Sequence, residues 1–485
     1  MPIRDSHGAT LGWAMRCDLR RGVYMLLFAL VLSWMGCGGR TSGDATERMI
    51  PLGEIHSLAS MRAYFDEDSR KSGLHALGDI NGDGVTDLVV SASGQRGSEG
   101  RRGGVLRGWI AAFSGADGSL LWEIVGKSGQ EAQAEGDESG YHLTAGAIVG
   151  GDFNGDGLPD LFVLDGYAQR RAWLISGRDG SRIGEFDYEQ LFGTDRPVRY
   201  IPSRPLRMLD VDGDGVPDLV FPEAPGLGLR ILSGRDFSLI AEHRDLWGDG
   251  EGPLRPHWTL PEYADDNGDG VVDFLARRLV SGSHDFEMAV ISGRDFSVLR
   301  TFRTEGPRVI GQFHFAAAGD LNGDGVADYV TASSTGAGPE GRSSYLRAVS
   351  GADGAVLWTV VGSGLPGGPT RFEVDARSGE KRDLPADVGF DSAVVKIPDV
   401  DGDGVADVAT VASGSDSRRA VLLFSGATGD WLGELAPTQG RIVDSPQVAL
   451  VLLDTTAAGG RPALAVPCHQ PGGEWFIAIL SLPSS

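Results

Sequence analysis

The residues DLNGDGVAD, at positions 320–328, form one of six closely related acidic loops along this chain of 485 residues. Each loop has Asp at positions one, five and nine, Asp or Asn at position three, and Gly at positions four and six. Each lies between two apolar runs. The loops begin at Asp79, Asp152, Asp210, Asp265, Asp320 and Asp399. The return of one pattern at intervals of 55 to 79 residues predicts a repeat protein.

The alternating oxygens of each loop suit a hard divalent cation. Calcium takes six to eight oxygens at roughly 2.3–2.6 Å, which four side chains, the carbonyl of position seven and water can supply. Glycine at positions four and six lets the chain coil tightly, because it accepts positive φ. We therefore predict about six structural Ca²⁺ ions, one per loop. The predicted ligands are Asp79, Asn81, Asp83, Val85, Asp87, Asp152, Asn154, Asp156, Leu158, Asp160, Asp210, Asp212, Asp214, Val216, Asp218, Asp265, Asn267, Asp269, Val271, Asp273, Asp320, Asn322, Asp324, Val326, Asp328, Asp399, Asp401, Asp403, Val405 and Asp407.

The neighbourhood of the loops distinguishes them from EF-hands. An EF-hand loop begins similarly, but it needs a bidentate Glu at position twelve and flanking helices. Position twelve is apolar or Thr in all six copies, and flanks such as LVVSA (88–92) are typical of strands. The loops are therefore predicted to join two strands. A set of Asp-Gly hairpin turns without metal is the alternative.

The residues around each loop predict four antiparallel strands. One strand enters the loop and a second leaves it. A third ends in Ser-Gly, as in WIAAFSG (109–115), and a tight turn leads to a fourth, such as SLLWEIVG (119–126). Four antiparallel strands per unit, with a period of about 55 residues, predict a propeller blade.

The C-terminal residues predict a seventh, degenerate blade. Its strands are VALVLLD ending at Asp454, ALAVP (463–467) and WFIAIL (475–480). Its loop, TTAAGGRP, lacks carboxylates and is predicted to bind no calcium. The apolar segment Met49–Ile55 is predicted to supply the missing strand and close the ring, which removes open sheet edges. The predicted fold class is all-β: a seven-bladed β-propeller of four-stranded blades with calcium-binding β-loop-β turns.

The loop pattern resembles that of the FG-GAP family, also called VCBS-type repeats, to which integrin α-subunit propellers belong. The stretch FHFAAAGDLNGDGVADYVTASSTGAG (313–338) is especially similar to an integrin repeat. The resemblance covers about 50–485. It implies a seven-bladed calcium propeller, normally extracellular and usually used for binding. Only the calcium ligands carry over residue by residue, and the family also includes lectin-like and lyase-associated members.

The net charge of the chain is −24, which argues against nucleic-acid binding.

The N-terminus indicates an exported protein. An apolar run, Val23–Met35, follows three arginines and precedes Cys37, as in a secretory signal peptide. The predicted organisation is a signal peptide over 1–37, a short linker over 38–48 and the propeller over 49–485. Lipidation at Cys37 would anchor the protein in a bacterial cell envelope; ordinary cleavage and secretion, or an uncleaved anchor, are the alternatives.

The face opposite the acidic loops is the predicted partner surface. Its loops, at 127–146, 184–206, 241–261, 303–314 and 363–391, are long and irregular, and such loops on a rigid scaffold commonly carry recognition. Arginines and aromatic residues there would suit an anionic or sugar-like ligand. The alternative is that each arginine pairs with carboxylates of a neighbouring blade. The candidate ligand-binding residues are Arg102, Arg171, Tyr200, Trp258 and His314.

Signals for catalysis are weak. The chain has neither a G-x-S-x-G nor an H-E-x-x-H motif, and we predict no catalytic residue. The predicted function is an exported calcium-binding propeller that binds a protein or glycan at the cell surface. A carbohydrate-active enzyme of the polysaccharide-lyase kind, built on a calcium propeller, is the alternative.

Overall fold

A computed structural model of the chain places the described residues in one compact unit, Asp44–Ser485. The structure describes residues 47–51, 73–92, 109–126, 148–164, 171–187, 207–223, 228–243, 264–279, 286–304, 313–338, 341–362, 371–374, 381–384, 389–413, 419–442, 450–453, 461–470 and 475–483. The predicted signal peptide, with Cys37, lies outside these ranges.

The first half of the chain forms β1 and three blades. The strands are β1 (Glu47–Pro51); in blade 1, β2 (Gly73–Gly78), β3 (Asp87–Ala92), β4 (Trp109–Phe113) and β5 (Leu120–Val125); in blade 2, β6 (Ile148–Val149), β7 (Leu161–Leu164), β8 (Arg171–Ile175) and β9 (Arg182–Asp187); and in blade 3, β10 (Arg207–Leu209), β11 (Asp218–Glu223), β12 (Gly228–Leu232) and β13 (Leu239–His243).

The second half forms four more blades and one extra hairpin. The strands are, in blade 4, β14 (Phe274–Leu279), β15 (Phe286–Ile291) and β16 (Val298–Thr304); in blade 5, β17 (Phe313–Gly319), β18 (Asp328–Gly338), β19 (Gly341–Val349) and β20 (Val356–Val361); in the hairpin, β21 (Arg371–Val374) and β22 (Lys381–Leu384); in blade 6, β23 (Gly389–Ile397), β24 (Asp407–Ser413), β25 (Arg419–Phe424) and β26 (Trp431–Leu435); and in blade 7, β27 (Arg441–Ile442), β28 (Val451–Leu453), β29 (Ala463–His469) and β30 (Trp475–Ser481).

The described strands confirm an all-β, seven-bladed propeller. In blades 1 to 6, consecutive strands pair antiparallel in chain order, as β2-β3-β4-β5 do in blade 1. In blade 7, β27 and β28 both pair with β29. Blade 4 has three strands among the described residues, and the N–H of Asp273 donates to the carbonyl of Ala264 just before them (2.8 Å). The hairpin β21–β22 lies in the predicted loop 363–391, where sequence analysis gave no strand.

The N-terminal strand completes blade 7, as predicted. β1 pairs antiparallel with β30, with Ile50 opposite Ile477. The pairing begins at Glu47, two residues before the predicted start of the propeller at Met49. Of the predicted closing segment, residues 52–55 lie outside the described part of the chain. Because β30 would otherwise present unpaired backbone groups, β1 removes an open sheet edge.

The hydrophobic core lies between the blades rather than at one centre. Six clusters of buried side chains each join neighbouring blades: 1 with 2, 2 with 3, 3 with 4, 4 with 5, 5 with 6, and 6 with both 7 and 1. The last of these includes Trp109 of blade 1, Val421 of blade 6 and Phe476 of blade 7. Side chains alternate between the two faces of a strand, so each sheet packs against both of its neighbours.

Among the described residues, no helix is long and apolar enough to cross a membrane.

Candidate metal centres

Asp79, at position one of the first loop, organises the backbone that follows it. Its Oδ1 accepts hydrogen bonds from the N–H groups of Gly82 (2.8 Å) and Asp83 (3.0 Å), and its Oδ2 accepts one from Gly84 (2.7 Å). Both glycines have positive φ, 79° and 83°, which a side chain would strain. The tight coil that the glycines predict is therefore present.

Three hydrogen bonds recur in all six loops. The N–H of position six donates to Oδ2 of position one at 2.7–3.0 Å. The N–H of position five donates to the side-chain oxygen of position three at 2.8–3.1 Å. The N–H of position seven donates to Oδ1 of position five at 2.8–3.0 Å. The predicted ligand side chains thus hold each loop in shape.

The ninth residue ties each loop to the Ser-Gly turn of the same blade. Asp87 is fully buried; its Oδ2 accepts from the N–H of Ile80 (2.9 Å) and its Oδ1 from the N–H of Gly115 (3.0 Å). All six loops have both bonds, at 2.7–2.9 Å and 2.9–3.1 Å respectively. A Cβ on Gly115 would lie 2.0 Å from the carbonyl oxygen of Thr86, so only glycine fits there.

Sequence analysis missed this tie, although the signal was present. The third strands of blades 1 to 6 end in Ser-Gly, and a repeated glycine marks a close approach of backbone. The structure shows that the approach is made to the loop of the same blade. The acidic loop and the Ser-Gly turn are therefore one structural unit.

The buried carboxylates at position nine lie in an environment that disfavours their charge. Burial raises the pKa of all six carboxyl groups, and backbone N–H donors only partly offset it. A neighbouring loop carboxylate adds to the rise, such as Asp83 beside Asp87 and Asp401 beside Asp407. A bound cation would relieve both effects, because an opposite charge favours the ionised form.

Two loops bring three carboxylates close together. Oxygens of Asp399, Asp401 and Asp403 lie within 4.8 Å of one another, and so do those of Asp210, Asp212 and Asp218. In the second group, Oδ1 of Asp210 is buried without a hydrogen-bond partner in the described structure. A buried carboxylate oxygen without a partner is costly. These donors fit a hard cation such as calcium, which takes oxygen ligands.

The repeated loop and its family were compared with known proteins. An FG-GAP-like repeat profile matches residues 152–221, and an FG-GAP repeat profile matches residues 76–105. Residues 76–105 and 152–221 therefore match FG-GAP repeats. A search of curated protein sequences found no significant match. Among solved structures, BamB from Moraxella catarrhalis is 11% identical over 84% of this chain and 84% of its own, with a TM-score of 0.33.

Three of the FG-GAP loops also contact an arginine from the Ser-Gly turn of their own blade. Arg178 Nε lies 3.0 Å from Oδ2 of Asp156, and its Nη2 donates to the carbonyl of the same residue at 3.0 Å. Arg235 makes the same pair of contacts with Asp214. Its hydrogen bond holds the pKa of Asp214 below the ordinary value. In blade 4, Arg294 makes the corresponding contacts with Asp269.

The predicted partner face is described only in part. Arg102, Tyr200 and Trp258 lie outside the described residues. Arg171 begins β8, and His314 lies in β17 opposite Ala332. Both are therefore strand residues, and Phe313–His314 belongs to β17 rather than to a loop.

Four further arginines close to the connections between second and third strands lie within the strands themselves. Arg277 and Arg278 belong to β14, and Arg342 belongs to β19. Arg419 begins β25 and is buried, so its side chain does not belong to an open surface. In the blade-7 loop, residues 454–460 lie outside the described part of the chain, which leaves its lack of calcium a prediction.

Proposed function

We propose that this FG-GAP propeller is an exported, calcium-stabilised binding module for a protein or glycan partner at the cell surface. FG-GAP propellers typically serve in binding and adhesion and are typically non-catalytic. The proposed calcium binding is supported by a group of three carboxylates, those of Asp399, Asp401 and Asp403. Their oxygens lie within 4.8 Å of one another. Three carboxylates at that separation repel one another unless a cation lies between them.

The proposed ligands are the side chains at positions one, three, five and nine of each loop, with the carbonyl of position seven. Their role would be structural, because each loop is tied to a buried turn of its own blade. Binding to the folded state stabilises it by RT ln(1 + [L]/Kd), about 2.7 kcal/mol per site when calcium exceeds Kd about 100-fold. Extracellular modules bind calcium at roughly 10⁻⁴–10⁻³ M, so calcium outside the cell would fill the loops.

Export and the partner are parts of the same proposal. The leader over 1–37 would direct the chain out of the cytoplasm, with Cys37 as the lipid attachment point in a cell envelope. The net charge of −24 makes nucleic acid an unsuitable partner. The partner would bind on the face opposite the FG-GAP loops, where Arg102, Arg171, Tyr200, Trp258 and His314 are the candidate contacts.

A binding screen tests the proposal. The full chain would be presented to a glycan array and a panel of cell-surface proteins, in millimolar calcium, in EDTA, and in EDTA followed by excess calcium. We expect binding in calcium, loss in EDTA, and recovery when calcium returns. Anionic polysaccharides in the array would also be analysed for chain cleavage. No binding in calcium would count against the module, and cleavage would support the polysaccharide-lyase alternative.

A further inference from the structure

The six FG-GAP loops fall into two groups according to one residue in the Ser-Gly turn. In blades 2, 3 and 4, the residue after Ser-Gly is arginine, and its guanidinium contacts the position-five Asp of the loop. In blades 1, 5 and 6, the same position is Ala116, Ala352 and Ala427. Alanine has no group that can reach the loop. In blade 1, the position-five carboxylate is instead contacted by the hydroxyl of Ser114, over 3.1 Å, which brings no charge.

Loops 3 and 6 isolate the effect of this residue. Their sequences are DVDGDGVPD (210–218) and DVDGDGVAD (399–407), and the predicted ligands are identical in type. In loop 6, the convergent carboxylates are those of positions one, three and five. In loop 3, they are those of positions one, three and nine. Position five is absent from the loop 3 group, and Asp214 at that position is the carboxylate that Arg235 contacts.

The hydrogen bonding of the position-one Asp also differs between these two loops. In loop 6, Oδ1 of Asp399 accepts a hydrogen bond from the N–H of Gly402 at 2.6 Å. In loop 3, the equivalent Oδ1 of Asp210 is buried with no hydrogen-bond partner in the described structure. Loop 3 therefore keeps oxygens that a cation would satisfy, but it has lost one of its four side-chain ligands to an arginine.

We infer that the FG-GAP loops form two classes of calcium site: tight sites in blades 1, 5 and 6, and weak sites in blades 2, 3 and 4, where arginine supplies part of the positive charge. This inference rests on the proposed calcium binding. A cation entering an arginine-bearing loop must displace the guanidinium from position five and is repelled by it. A unit positive charge about 6 Å from a divalent ion weakens binding about tenfold even in water.

The two classes occupy separate arcs of the ring. Blades 2, 3 and 4 are consecutive, and blades 5 and 6 are joined to blade 1 through blade 7. Blade 7 contains the pairing of β1 with β30 that closes the ring. The tight sites thus lie on the side of the ring where β1 pairs with β30. The arginine-bearing arc has its own positive charge and depends less on calcium.

Calcium titration of the full chain, by isothermal calorimetry and native mass spectrometry, tests the inference. We expect wild type to take up about three ions tightly and about three more with roughly tenfold higher Kd. The variant Arg178→Ala/Arg235→Ala/Arg294→Ala should bring the weak sites close to the affinity of the others. Ala427→Arg should reduce the number of tight ions by one.

Two controls keep the test specific. Arg182→Ala removes an arginine that pairs with Glu185, so both classes should remain. The three turn arginines are at least half exposed, so their removal should leave the fold intact, which near-ultraviolet circular dichroism would check. If the triple variant does not fold, Ala427→Arg alone decides the result.

The possible results distinguish failure of the two-class inference from failure of the proposed calcium binding. Six equal sites in wild type, or two classes that persist in the triple variant, would overturn the two-class inference and leave calcium binding standing. An unchanged number of tight ions in Ala427→Arg would overturn it as well. A chain that takes up no calcium would overturn both.

Discussion

Trp122 of blade 1 donates its indole N–H to the carbonyl oxygen of Gly177 in blade 2, over 2.9 Å. The N–H of the same Gly177 donates to Oδ1 of Asp160, over 3.1 Å. One glycine therefore joins an acidic loop, the turn of its own blade and the neighbouring blade. Trp358 and Gly426 repeat the relationship between blades 5 and 6, over 2.8 Å.

Replacing Trp122 with Phe should weaken the joint between blades 1 and 2. The ring volume is largely kept, but the buried carbonyl of Gly177 loses its donor. We expect the free energy of unfolding to fall by about 1–3 kcal/mol, measured by denaturant titration in calcium. Trp431→Phe is the control, because Trp431 is 38% exposed. The free energy of unfolding should change little in this variant. Equal losses in the two variants would mean that the indole N–H contributes nothing specific.

The calcium content under saturating conditions should be about six ions per chain. Each FG-GAP loop has the same ligand positions, and the loop of blade 7 lacks carboxylates. Native mass spectrometry in excess calcium would count the ions. Fewer than four, or a strong preference for a transition metal over calcium, would contradict the assignment.

Asp324→Ala should destabilise the protein mainly when calcium is present. The substitution removes a proposed calcium ligand from loop 5 together with the bond that the N–H of Val326 donates to Oδ1 (2.8 Å). We expect a lower melting temperature in calcium and a small change in EDTA, since the exposed bond to Val326 contributes only about 1 kcal/mol. Equal destabilisation in both conditions would identify the loop as a plain turn at that blade.

Asp328→Asn should destabilise the protein in EDTA as well as in calcium. Asp328 is buried, and its two oxygens accept from the N–H groups of Leu321 (2.8 Å) and Gly351 (3.0 Å). An Asn amide must point its own NH₂ at one of these donors, so we expect a loss of about 1–3 kcal/mol in EDTA. The loss should be larger in calcium, because the substitution also removes the charge of a proposed ligand. Melting curves of Asp328→Asn and Asp324→Ala, both recorded in EDTA, provide the comparison. A loss seen only with calcium would show that the tie to the turn carries no stability.

Removal of residues 1–51 should open the ring. β1 covers the edge of β30, and an exposed strand edge promotes association between chains. We expect a lower melting temperature and aggregation on size-exclusion chromatography. Removal of residues 1–46 leaves β1 in place and should have neither effect. The same melting temperature for both truncations would show that β1 does not stabilise the closure.

Strand pattern and loop chemistry were predictable because they are local. Alternating apolar runs, the Ser-Gly ends and the acidic loops each depend on neighbouring residues. The third strand WIAAF lies where the sequence placed it, at Trp109–Phe113. The closing strand was also predictable, because the sequence showed three strand patterns for blade 7 and an apolar segment precedes blade 1.

The contacts between segments distant in sequence were not predictable. The turn of blade 4 has Phe296 at a φ of 59°, where blade 1 has Gly118 at 77°. Its ring is buried between blades and stacks on Phe274, with ring centroids 5.9 Å apart. Packing of this kind depends on how two sheets meet, which no local pattern contains.

By itself, the sequence determined the repeat, the strand order, the seventh blade and the oxygen donors of each loop, because these follow from spacing and residue type. Only the tertiary structure decided what those donors contact. It brings Gly115 to Asp87 and Arg235 to Asp214, residues that lie 28 and 21 positions apart in the chain. Such pairs form because the antiparallel strands of one blade bring the acidic loop and the Ser-Gly turn to the same end of the sheet. This arrangement determines which loop carboxylates contact a backbone N–H or a guanidinium.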